Sequence, residues 1–104
     1  MNNTTMLIGR INNVIEKYED EDRTTYRIVL NICRNYKNED GIYENDYIPV
    51  ELTDNIGNNV FEYCKQGDLV GIKGRLSCKD SNLIQIIAEK VTFLSSNKNL
   101  MNQN

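Results

Sequence analysis

The chain has 104 residues, 39% of them hydrophobic and 26% charged, and a net charge of −3. That length supports one domain with a single modest core. No apolar run reaches the roughly 20 residues of a membrane span and the start lacks a basic-then-apolar signal, so a cytoplasmic protein with no membrane partner is expected.

The elements follow from periodicity. Residues 1–5 are polar and expected to fray, with Thr4 and Thr5 able to join the first strand. That strand is predicted over 6–15, and Gly9 inside it marks a bend, a bulge or a close backbone approach. Residues 16–23 read as a charged turn. The second strand, 24–34, puts Tyr26, Ile28, Leu30 and Ile32 on a core face and Arg27, Val29, Asn31 and Cys33 on the other. A polar loop over 35–46 carries Asp40-Gly41 as its turn signal. The third strand, 47–53, buries Ile48, Val50 and Leu52 and turns Tyr47, Pro49, Glu51 and Thr53 outward. Asp54 or Asn55 can cap a helix. Ile56, Val60, Phe61 and Cys64 then recur at helical spacing, and Gly67 ends the run. The fourth strand, 69–76, faces Val70, Ile72, Gly74 and Leu76 inward and Gly71, Lys73 and Arg75 outward. A tight loop over 78–82 leads to the fifth strand, 83–94. The polar remainder is expected to be disordered, giving a folded domain over 1–96 and a tail over 97–104.

Composition limits the chemistry. There is no histidine, and Cys33, Cys64 and Cys78 are too few and too widely spaced for a zinc site. They are expected to be reduced, with Cys64 on the buried helix face and the others partly exposed. No Gly-rich phosphate loop or activated nucleophile appears, so no enzyme, no metal and no cofactor is expected. Asp40 with Asp46 or Glu44 is the one arrangement that offers a divalent ion ligands, against the simpler reading of a solvated acidic loop.

An acidic chain taken whole argues against nucleic acid, which is held by Lys and Arg displacing counterions. The distribution reverses this. Residues 16–22 hold five acids and one base, and residues 39–54 hold six acids and no base, which leaves the rest of the chain at +7. The acids fall mainly in expected loops and the bases mainly in expected strands.

Several segments then fit one pattern: Leu7-Ile8-Gly9-Arg10-Ile11 at the start, Ile28 to Tyr36 through the end of the second strand, and Asp46-Tyr47-Ile48 opening the third. Glu62-Tyr63, Lys65, Gly67 to Val70, Gly71-Ile72-Lys73-Gly74-Arg75-Leu76 and Ala88 to Leu94 continue it. In order and spacing the chain resembles the bacterial single-stranded DNA-binding proteins over roughly residues 6–96. With the periodicity, the resemblance implies an all-β OB-fold, a five-stranded Greek-key barrel with one short helix between strands 3 and 4. It implies sequence-tolerant binding of single-stranded DNA by aromatic stacking, in replication, recombination or repair, and assembly as a homo-oligomer, dimer or tetramer. Tyr36 and Tyr47 match the family's aromatic positions and are read as lying on exposed faces. Arg10 and Arg34 match basic positions, while Lys73 and Arg75 project from the fourth strand opposite its core face. These four are candidate phosphate contacts, each weighed against a solvated strand residue. Tyr26, Tyr63 and Phe93 are read as core or interface, and Tyr18 and Tyr43 have no assignment.

Two departures qualify the resemblance. Thr53 stands where many members carry Trp or Phe, and the 78–82 loop has no aromatic, so weaker binding or a shorter footprint is expected. The family's acidic, hydrophobic tip has no match in NLMNQN, which suggests a short, tail-less member without that route of recruitment. The competing reading is an OB-fold protein-interaction subunit of a replication or primosome assembly, whose acidic loops meet a basic partner.

Overall fold

The computed structural model describes residues 1–80 and 83–96. The strands are β1 (Thr5–Ile11), β2 (Glu16–Glu19), β3 (Thr24–Lys37), β4 (Tyr43–Thr53), β5 (Leu69–Asp80) and β6 (Leu83–Ser95), with the helix α1 (Asp54–Tyr63) between β4 and β5. The expected disordered tail, 97–104, lies outside the described residues, as do residues 81 and 82 of the expected 78–82 loop.

β1 pairs antiparallel with β5 and β5 with β6. β6 runs parallel to β4, and β4 pairs antiparallel with β3. Two residue pairs, Arg10 with Asn31 and Ile11 with Leu30, join β3 back to β1 and close the ring. This is the expected five-stranded barrel. Six strands are counted because the first is in two pieces: β2 continues along β3 from Glu16 opposite Arg27. The break has a local cause. The Asn12 N–H donates to the Val29 carbonyl at 2.7 Å, and the Asn13 side-chain oxygen accepts from the Val29 N–H at 2.7 Å. An asparagine side chain thus stands in for a backbone acceptor, and the chain loops out before resuming. Half of the expected charged turn over 16–23 is therefore strand.

The interior follows the alternation. Ile11, Tyr26, Ile28, Leu30, Val50, Leu52, Val70, Ile72, Ile86 and Ala88 fill the barrel, and Val60 of α1 closes one end. Leu76, expected inside, is exposed. β5 outruns β1, whose last partner pair is Thr5 with Gly74; beyond it the Asn3 side chain bonds the Leu76 N–H and carbonyl, but no strand follows. Tyr63 and Phe93 are also exposed, whereas Tyr26 is in the core against Phe61, with ring centroids 5.3 Å apart.

The helix ends differ from expectation. Thr53 occupies the N-cap position with no side-chain cap bond, and Asp54 is already in the first turn, at φ 53°. β4 runs into the helix without a loop, so neither Asp54 nor Asn55 reaches the capping position, and tertiary packing holds the helix instead. Cys64 ends it in an extended conformation. Gly67 does take a left-handed φ of 96°, but in the following turn, where Asp68 accepts the Lys65 N–H at 2.9 Å.

Two glycines on β5 differ in what surrounds them. A methyl group at Gly74 would strike the Ile87 carbonyl and the Ala88 backbone, neither of which can yield, whereas one at Gly71 would make an ordinary 3.7 Å contact with Leu94. Gly74→Ala is expected to lower stability by about 1–3 kcal/mol and Gly71→Ala to change it by less than about 0.5 kcal/mol, read as a shift in the urea midpoint at constant slope. Equal shifts would show that β5 and β6 are not packed this closely.

Candidate nucleic-acid interface

Ring closure creates an outer surface that no single strand has. Arg10 lies opposite Asn31, and Asn31 lies opposite Tyr47, so one row runs across β1, β3 and β4 on the outside of the barrel. Ile8, Cys33 and Asn45 form the next part of the same face and line a shallow cavity with Arg10 and Asn31. Gly9 is what lets β1 come this close: a Cβ there would lie 2.8 Å from the Asn31 carbonyl oxygen.

Each predicted residue can now be placed. Tyr47 is 56% exposed, at the β4 end of this row. Arg10 is half-buried, and one guanidinium nitrogen donates to the Gly67 carbonyl at 3.0 Å, which anchors the side chain while leaving it other donors. Tyr36 is 61% exposed near the end of β3, where the pairing shifts register between Cys33 and Lys37. That irregularity breaks the simple alternation, and Tyr36 lies near the Arg34 guanidinium, on which it acts electrostatically. Lys73 and Arg75 face outward from β5, about 13 Å and further from Leu69, the β5 partner of Arg10, measured along the strand. Lys73 sits opposite Lys90, while Arg75 is 3.8 Å from Glu89. The structure thus joins Arg10 and Tyr47 in one row and sets Lys73 and Arg75 apart from them.

Arg34 has different company. It pairs with Asp46 at 2.9 Å and with Glu44 at 3.1 Å, and its Nε also donates to Asp46. Asn38 donates to the second Glu44 oxygen at 2.7 Å. Of the three carboxylates considered as divalent-ion ligands, Glu44 and Asp46 are engaged by a guanidinium, while Asp40 lies in the turn. In the β4 alternation Glu44 and Asp46 sit opposite to Tyr43, Asn45 and Tyr47, so the outward side of the β3–β4 hairpin keeps its polar and aromatic groups without them. Hydrogen bonding to Arg34 holds the Asp46 carboxyl below its ordinary value, and the same contact raises Arg34.

Three residues of this face were not singled out by sequence. Asn31 links Arg10 to Tyr47. Lys37 lies over the Tyr43 ring, 5.6 Å from its centroid. Among the described residues, Arg10, Lys37 and Lys73 form no ion pair with a carboxylate. The exposed parity of Asn31 was legible, but its neighbours depend on which strands pair.

A small closed barrel with aromatic and basic groups on its outer strands is the OB-fold class of binding domain. The chain belongs to the single-strand binding protein family, whose pattern matches residues 2–94. It is 32% identical to single-stranded DNA-binding protein 1 of Clostridium acetobutylicum, over 92% of this chain and 96% of that protein. It is 27% identical to single-stranded DNA-binding protein B of Bacillus subtilis, over 90% and 91%. Among solved structures, the second single-stranded DNA-binding protein of Mycobacterium smegmatis superposes with a TM-score of 0.70 at 17% identity, covering 89% of each chain. The mitochondrial single-stranded DNA-binding protein of S. cerevisiae gives 0.75 at 13%, covering 92% of this chain and 98% of that one.

The Arg34 pair has a pH signature. The folded Asp46 value is depressed, so its stabilising contribution is complete above the ordinary carboxylate range and is lost as pH falls through the lowered value. The Asp46 carboxyl carbon, followed by NMR, is expected to titrate below 3.8. Arg34→Ala should return it to the ordinary range, and an unchanged midpoint in that variant would remove Arg34 as the cause.

Proposed function

We propose that this chain is a non-catalytic, cytoplasmic protein that coats single-stranded DNA without strong sequence preference, as a homo-oligomer, in replication, recombination or repair. Family membership supports the class of ligand. The observation that carries the site is the outer row of Arg10, Asn31 and Tyr47, in which an exposed ring shares a face, across Asn31, with a cation that forms no ion pair with a carboxylate among the described residues. A base stacked on a tyrosine needs only a π-face, so any base serves, and each such contact contributes about 1–3 kcal/mol.

In this reading Tyr36 and Tyr47 stack on bases, and Arg10, Lys73 and Arg75 contact phosphates. Arg34 reaches a phosphate only by exchanging one carboxylate for it, since Glu44 and Asp46 already offer the oxygen geometry that a phosphate would. It therefore adds less to affinity than its charge suggests.

The test is fluorescence anisotropy with labelled oligo-dT across a salt series. Three phosphate contacts predict a log–log slope of roughly −2. The Tyr36→Ala/Tyr47→Ala double variant should bind at least about tenfold more weakly, and Arg10→Ala should flatten the slope by about 0.7. Absence of binding at low salt would sink strand coating and leave the protein-interaction reading, with the acidic 16–22 segment facing a basic partner.

A further inference from the structure

We propose that Tyr43, together with Lys37, is a further stacking platform for single-stranded DNA, extending the bound strand along the outer face of β4 towards the tip of the β3–β4 hairpin. The proposal rests on the strand-coating reading and adds a residue pair to it.

Register places the ring. β4 is continuous from Tyr43 to Thr53, with Lys37, Cys33 and Asn31 of β3 opposite Tyr43, Asn45 and Tyr47. Alternate residues share a face, so Tyr43 points to the same side as Tyr47, about 13 Å further along the strand. The ring has no structural duty that explains it. It is 52% exposed, lies outside the core, and its hydroxyl makes no hydrogen bond among the described residues. Among the described residues, its one ring interaction is with the Lys37 ammonium, 5.6 Å from the ring centroid. A π-face for a base and a cation for the adjoining phosphate therefore occur in a single cross-strand pair.

The surroundings favour an anionic strand. From residue 37 to residue 49 the hairpin contains four acids, but Glu44 and Asp46 alternate to the opposite face, where Arg34 holds both. From residue 43 to residue 49, the outward positions of β4 are Tyr43, Asn45, Tyr47 and Pro49, with no carboxylate. Glu39 and Asp40 lie in the turn beyond and would repel a backbone, which sets the limit of the path. The platform is also preorganised. The turn is closed by Asn38 N–H to the Ile42 carbonyl at 2.8 Å, and the Asn38 side-chain oxygen accepts from Asp40 and Ile42, both at 2.9 Å. Stacking on Tyr43 thus requires little ordering of the protein.

The experiment compares wild type with Tyr43→Ala, Tyr43→Leu, Tyr43→Trp and Tyr47→Ala on labelled dT of about 16 nucleotides, the upper site size for one such fold. Tyr43→Ala and Tyr43→Leu should each weaken binding by roughly 5- to 100-fold with unchanged circular dichroism. Tyr43→Trp should keep the affinity, and its emission, the only tryptophan signal in the chain, should be quenched as DNA is added. Wild-type affinity in Tyr43→Leu, or an unquenched tryptophan in a variant that still binds, would overturn the proposal. Loss in Tyr47→Ala with no loss in Tyr43→Ala would overturn it while leaving strand coating intact. A wild type that binds no DNA would overturn both.

Discussion

The structure depends on the seam where β1 meets β3. Only two residue pairs close the ring, and they are fixed by a dense set of bonds around Ile11. Its N–H donates to the Asp68 carbonyl at 2.9 Å, its carbonyl accepts from Gly67 at 2.7 Å, and the next residue, Asn12, bonds to Val29. Arg10 adds a side-chain bond to Gly67. The strand at the front of the chain is thereby tied to β3 and to the turn after the helix together. Gly9 is a condition of this seam, because any side chain there would meet the Asn31 carbonyl and the Ile32 side chain. Without closure Leu30 would keep only its β4 partner, Ile48, and Arg10 would not join the row of Asn31 and Tyr47.

The same barrel sorts charge. Alternation sends the β4 acids Glu44 and Asp46 and the exposed β4 rings to different sides of the β3–β4 hairpin. Arg34, Glu44 and Asp46 form a network on one side while Tyr43, Asn45 and Tyr47 occupy the other. An exposed pair of this kind adds little to stability, but it binds two carboxylates that would otherwise repel a phosphate backbone. Net charge is a poor guide here. A chain at −3 overall can still present a stretch of outer face, from Tyr43 to Pro49 of β4, with no acid on it, since a strand in contact senses the charges within a Debye length of about 8–10 Å more than the total.

Periodicity alone located the helix, most of each barrel strand and most of the core. Burial of one face imposes a period of two on every strand, and that period can be read directly: Tyr26, Ile28, Leu30, Val50, Leu52, Val70 and Ile72 are all interior. The sequence also marked Gly9 as a bend, a bulge or a close approach, of which the structure shows the last, and Tyr36 and Tyr47 as exposed rings. What tertiary structure alone decided is everything that depends on neighbours across strands. Alternation says which face a residue takes but not which strand lies beside it, so the Arg10–Asn31–Tyr47 row, the capture of Arg34 by two acids and the pairing of Lys37 with Tyr43 had no sequence signal. The split first strand was hidden for a related reason: the Asn13 side chain replaces a backbone acceptor only once β3 is there to receive it.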